Sequence, residues 1–254
     1  RITRLVSDWS SDVCSSDLPN VVTFESLGGA RKDPMRGRNV LMTMAAKISK
    51  AEKIEKSGLT GLCAGANLRT PCGPRRVEFL RVGDLIVTRD NGLQPVKMVW
   101  TRTVTAAEIA ADPSLAPITL RPRAIGPMMP QRDVSVGPAH RLLIPGWRLE
   151  DEADNEACLV PARDISDLND SIFVDRAPDE VTFYNIVFAE HQVFCANGLP
   201  VESFTPTAES LKDAPRAVRD DLTKAFPELG PKFADYPAPR YKMRERVSYI
   251  PDYA

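Results

Sequence analysis

Thiols and imidazoles are the side chains in this chain best suited to attack a carbonyl and to manage the proton that attack displaces. There are five cysteines and only two histidines, His140 and His191, in 254 residues. A thiol becomes a useful nucleophile only where a neighbour controls its proton, so two imidazoles leave few possible partnerships. Cys63 lies in "GLCAGANLRTPCG", at the start of a train of short β-like segments. It reads either as a nucleophile at the mouth of a β fold or as a small buried apolar residue. His140, in "GPAHRLL", reads either as a site-lining imidazole or as a core or turn histidine bonded to a backbone group. His191, in "AEHQVFCANG", carries the same two readings, the second being a residue that packs or caps a strand. Cys63 and Cys72 form no Cys-x-x-Cys pair and have no nearby histidine. No metal site and no cofactor are therefore expected. "GLTGLCAG" lacks the lysine and the following Ser/Thr of a phosphate-cradling loop.

The elements that must position these groups are mostly strands. "VEFL", "DLIVT", "QPVKMVWTRTVT", "PITLRPRAI", "DVSV", "RLLIP", "SIFVD", "VTFYNIVF" and "QVFCA" are short and rich in β-branched or aromatic residues. Turn-forming clusters such as "PCGP", "DNG", "GPMMP", "IPG" and "ANG" separate them. "TRDNGLQPV" predicts a hairpin with Asn91-Gly92 in a tight primed turn. "PARDISDL" predicts a single helical turn or two. "NVLMTMAAKISKAEKIEKSG", Asn39 to Gly58, reads as a helix stopped by Gly58, and residues 19–57 as a flexible segment plus that helix. Beyond residue 206, "TAESLKDAPRAVRDDLTKAF" predicts a helical extension with Thr207 as a candidate cap and Pro215 as an interruption. The expected fold class is all-β over 58–206, flanked by N- and C-terminal helices.

Bulk properties exclude several classes. Lys plus Arg number 33 against 34 Asp plus Glu, so the chain has no one-signed field for nucleic acid or a membrane surface. No apolar run approaches a membrane span. With 22 prolines against 14 glycines, turns dominate over long helices. "DWSSDVCSSDL", Asp8 to Leu18, resembles the conceptual translation of a sequencing-library adapter. Residues 1–18 are accordingly read as an artefact, and Trp9 and Cys14 carry no functional weight.

Three blocks in order resemble the Hint (Hedgehog/intein) family in its bacterial variant. They are "TPCGPRRVEFLRVGDLIVTRDNGLQPV", "DVSVGPAHRLLIPG" and the closing "ACLVPARDISDLNDSIFVDRAPDEVTFYNIVFAEHQVFCANGLPVESFTP". The resemblance implies a horseshoe of short strands with pseudo-twofold symmetry. It also implies self-cleavage of the backbone: a Cys or Ser opening the module attacks the carbonyl just before it. A histidine in the second block distorts that amide and protonates the leaving nitrogen, and water, a second nucleophile or splicing resolves the product. On this resemblance Cys63, His140 and His191 are the candidate catalytic residues, and the chain's own N-terminal segment is the intramolecular substrate. Related modules often belong to exported proteins, although nothing in the sequence itself signals export.

Several residues depart from the family pattern. Counting back from Gly65 places the nucleophile on Gly61 or Leu62, one or two residues before Cys63. One residue along a strand reverses the side chain's face, and two move it about 7 Å. Gly137 stands where the family commonly has Thr or Ser, and Asn185 follows Tyr184 where relatives often have His. "ESFTPTAES" offers no His-Asn ending, so splicing is not expected. Asp84 and Glu78 read as turn architecture rather than chemistry. Two functions follow as expectations: a self-cleaving module whose N-to-S acyl shift is weak or lost, and a non-catalytic fold that serves as an interaction or presentation module.

Overall fold

The computed structural model describes residues 58–150, 155–167, 170–207, 210–211, 214–229 and 235–250. The adapter-like stretch and the helix expected from Asn39 lie outside the described residues, except for Gly58.

Among the described residues, fourteen strands are arranged in two six-stranded sheets and one hairpin. The first sheet runs β11 (Ile172–Val174), β7 (Ile118–Leu120), β8 (Val134–Val136), β1 (Leu62–Cys63), β12 (Glu180–Val187), β6 (Met98–Thr105). The second runs β10 (Cys158–Pro161), β9 (Arg141–Ile144), β14 (Leu199–Glu202), β13 (Val193–Ala196), β2 (Asn67–Thr70), β3 (Gly73–Arg76). Every named strand pairing is antiparallel. Strands this short hold together because they interlock over a common core. Leu62, Leu68, Ile118, Leu142, Phe188 and Phe194 all belong to its main cluster and are all but fully buried. The fold is all-β, as the strand-like segments predicted.

Local chemistry explains where the elements begin and end. The β13–β14 connection is a two-residue loop in which Asn197 and Gly198 both take positive φ, so "ANG" makes the tight primed turn. "TRDNGLQPV" does form a hairpin, β4 (Leu85–Val87) with β5 (Leu93–Pro95). Its loop spans 88–92, however, and only Gly92 takes a positive φ. The Thr88 hydroxyl explains the longer loop: it donates to Gly92 O at 2.8 Å and accepts from Asn91 N at 3.3 Å. "VEFL" is not a strand: Val77–Phe79 is one turn of 3-10 helix. Helix α1 (Ala106–Ala111) follows β6 directly through a capping box, Thr105 to Glu108. The C-terminal helix α2 (Arg216–Ala225) starts only after Pro215. Thr207 instead caps a short turn with Ser210.

After α2 comes one turn of 3-10 helix, Pro227–Leu229, and the described residues 235–250 are tied to the body by side chains. The Tyr236 hydroxyl donates to Phe188 O and that of Tyr249 to Ala124 O, both at 3.1 Å. Leu222, Phe226 and Tyr236 pack with Trp100 and Phe204 in a second cluster, where the last two rings meet edge to face at 5.1 Å.

Candidate functional site: a clamped peptide bond between beta strands

Strand β1 is only two residues long, yet it sits mid-sheet between β8 and β12. The residues just before it, Leu59, Thr60 and Gly61, continue between the turn after β8 and the middle of β12. Backbone and side chain hold this stretch on both sides. Ala139 N donates to Leu59 O at 2.9 Å and Gly137 N to Gly61 O at 2.8 Å. Between these two bonds lies the Thr60–Gly61 amide. Its N–H donates to His140 Nδ1 at 3.3 Å. Its carbonyl accepts from Asn185 Nδ2 at 3.3 Å, while the Thr60 hydroxyl donates to Asn185 Oδ1 at 2.8 Å. One peptide bond is thus gripped at nitrogen by an imidazole and at oxygen by a carboxamide, a donor of the kind that stabilises an oxyanion.

The two glycines at this place have steric reasons. A Cβ on Gly137 would sit 2.6 Å from Leu59 O and 2.9 Å from the Thr60 carbonyl carbon. Any side chain at this position would collide with the peptide itself. Gly61 has φ of +120°, and a Cβ there would meet Phe183 Cβ at 3.0 Å and Tyr184 O and Asn185 Nδ2 at 3.1 Å. The place beside the gripped carbonyl is closed by β12 and holds no side chain.

Cys63 is elsewhere. It pairs with Phe183 across β12 and packs with Leu59, Val104, Ile109 and Ala116. Burial in that apolar cluster pushes its thiol well above the ordinary range, and the charge of Asp175 adds in the same sense. Such a thiol stays protonated at neutral pH and is a poor nucleophile. Cys63 lies two residues past Gly61, about 7 Å along an extended chain. The amide preceding it is part of the sheet rather than of the grip.

His140 is almost fully buried. Desolvation pushes its pKa down to about 4; the nearby Glu202 charge opposes that shift and Arg141 adds to it. The ring is therefore neutral at neutral pH. Because Nδ1 accepts from Gly61, the proton resides on Nε2, which has no hydrogen-bond partner among the described residues. His191 does not reach the clamp. Its Nε2 lies 3.6 Å from Glu202 Oε2, at the far side of a buried group completed by Arg141. Glu202 Oε1 accepts from Arg141 N at 3.1 Å and from its guanidinium at 3.4 Å. Burial alone would raise the Glu202 carboxyl, but His191 and the positive charge of Arg141 more than offset it and hold the pKa below the usual carboxylate value.

The structure thus brings His140 to a peptide bond and leaves Cys63 and His191 outside it. Two participants were not assigned from sequence. Asn185 stood out only as a departure after Tyr184, and Glu202 lies unmarked in "VESF". Asn185 acts through Thr60, 125 positions away, and Glu202 bonds Arg141, 61 positions away, which no local motif reports.

A family model described as "Hint domain" matches residues 60–208, more than half of the chain. The chain belongs to the Hint domain family. The match opens at Thr60, whose carbonyl belongs to the gripped amide. No curated protein matches the chain by sequence. Similar solved structures include the gp41-1 intein, 12% identical, covering 56% of this chain and 97% of the intein, with a TM-score of 0.33. The MchDnaB-1 intein is 13% identical, with 56% and 99% covered and a TM-score of 0.34. The bacterial intein-like domain from Clostridium thermocellum is 12% identical, with 57% and 99% covered and a TM-score of 0.34.

Proposed function

We propose that this Hint domain no longer cleaves its own backbone through a side-chain nucleophile and acts as a rigid binding or presentation module. One observation carries the reading: the amide held by His140 and Asn185 is Thr60–Gly61, and residue 61 has no side chain. An acyl shift needs a nucleophile within near-contact reach of the Thr60 carbonyl carbon. The nearest thiol along the chain, Cys63, is turned into an apolar cluster. Fold alone does not confer activity; the site does.

A second reading keeps the grip as chemistry, with water attacking the Thr60 carbonyl carbon and Asn185 stabilising the oxyanion. The C–N bond would then break, releasing a Thr60 carboxylate and a Gly61 amine that needs a proton. His140 is ill-suited to give that proton, since Nδ1 faces the amide as an acceptor and the ring is neutral above about pH 4. The grip is therefore read as structural.

Both readings are separated by incubating the full chain with and without dithiothreitol between pH 4 and 8 and weighing it intact. A single unchanged mass supports the module. A fragment starting at Gly61 without thiol supports water attack, and a thiol-dependent fragment starting at Cys63 would restore the acyl-shift mechanism.

A further inference from the structure

The binding module needs a binding face, and one end of the second sheet supplies it. Two clefts of about 570 and 930 Å3 adjoin there, with Asn67 and Pro74 in the walls of both. The smaller is lined by Arg69, Gln131, Arg132 and Cys195, and the larger by Arg75, Arg76, Phe79, Asp84 and Leu85. Four arginines line the two clefts; Arg75 is paired with Asp84 at 2.6 Å and Arg76 with Glu78 at 3.7 Å. Arg69 and Arg132 have no carboxylate partner among the described residues. The whole chain has a net charge of −1, so this excess of positive charge is local.

Beside the arginines lies unusual apolar exposure. Phe79 is 62% exposed, Val82 68%, Leu85 42% and Leu93 48%. Register explains the two leucines: Leu85 opposes Pro95 and Val87 opposes Leu93, so all four share the outer face of the β4–β5 hairpin while Ile86 points into the core. Clustered exposure of this kind marks an interaction surface. Strand β3 ends its sheet, leaving an outer edge along which an extended chain can lie.

We propose that this face docks an extended segment of a partner protein that alternates acidic and apolar residues. Acidic side chains match Arg69 and Arg132, and apolar ones match Phe79, Leu85 and Leu93. A nucleic acid would satisfy the arginines and leave the leucines without partners. Pro74 offers no N–H, so side chains rather than strand pairing dominate recognition. The proposal rests on the chain being a module rather than a self-cutter, and it names that module's partner chemistry.

The test is fluorescence anisotropy of the full chain with a fluorescein-labelled decapeptide of alternating Glu and Leu. Saturable binding is expected, weakened at least tenfold by Arg69→Glu with Arg132→Glu, and separately by Phe79→Asp, with Trp147→Ala as an unaffected control. All substituted positions are on the surface, and unchanged thermal melting confirms folding. No saturable binding, equal binding of a Lys-Leu decapeptide, preference for an oligothymidylate strand, or indifference to these substitutions would each overturn the proposal. A cleaved mass would overturn the module reading instead, so the two failures are distinct.

Discussion

Placing a thiol at the slot is the obvious way to ask for cleavage, and Gly61→Cys is expected to fail for a structural reason. Gly61 adopts φ of +120°, a conformation that costs an L-residue about 1–3 kcal/mol. The new Cβ also meets three atoms of β12 at 3.0–3.1 Å, one of them the backbone oxygen of Tyr184, which cannot swing aside. Overpacking of this sort costs about 1–3 kcal/mol. Together they give about 2–6 kcal/mol, a large part of the roughly 5–15 kcal/mol that holds a domain folded. With a urea slope of about 2 kcal/mol per molar, the midpoint should fall by about 1–3 M. Equilibrium urea unfolding followed by tryptophan fluorescence reads this shift, and intact mass after incubation with thiol reads cleavage. An unchanged midpoint, or efficient fragmentation after residue 60, would show that the slot is open and that the steric reasoning is wrong.

Three other outcomes follow from the same site. Because burial depresses His140 from 6.5 to about 4, the unfolded chain takes up its proton first as the solution is acidified. Stability from this group is complete above about pH 6.5 and is lost as pH falls towards 4, by on the order of 3 kcal/mol at about 1.4 kcal/mol per pH unit. His140→Asn, which retains an acceptor for Gly61 N–H, should flatten that dependence in urea melts; an unchanged slope would refute it. Asn185→Ala leaves the Thr60 carbonyl and hydroxyl without their partners and should destabilise by about 1–3 kcal/mol, seen in the same melts. In native protein a maleimide should label exposed Cys72 quickly and leave buried Cys63 and Cys158 untouched until unfolding, as peptide mapping would show; rapid labelling of Cys63 would contradict its place in the apolar cluster.

Much of the scaffold was legible because strands advertise themselves through β-branched and aromatic runs between turn residues. What failed were elements too short for periodicity to speak. "VEFL" has strand composition but closes a single 3-10 turn. Helix α1 announced itself only through Thr105 and Glu108, a capping box in a six-residue helix. At the site, spacing from Gly65 put the slot on Gly61 or Leu62, and the bond from Gly61 to His140 picks the first. Asn185 was visible as a substitution without a role, since its bond to Thr60 spans 125 residues of sequence. Glu202 gave no signal, because a buried carboxylate is recognised only by the Arg141 and His191 that fold around it.

The most direct test of the grip is an NMR measurement of nitrogen–nitrogen coupling across hydrogen bonds to the His140 ring in uniformly labelled protein. A correlation between the Gly61 amide nitrogen and His140 Nδ1, with the proton on Nε2, is the expected result. A correlation from the Cys63 amide instead would put the thiol at the scissile position and contradict the account.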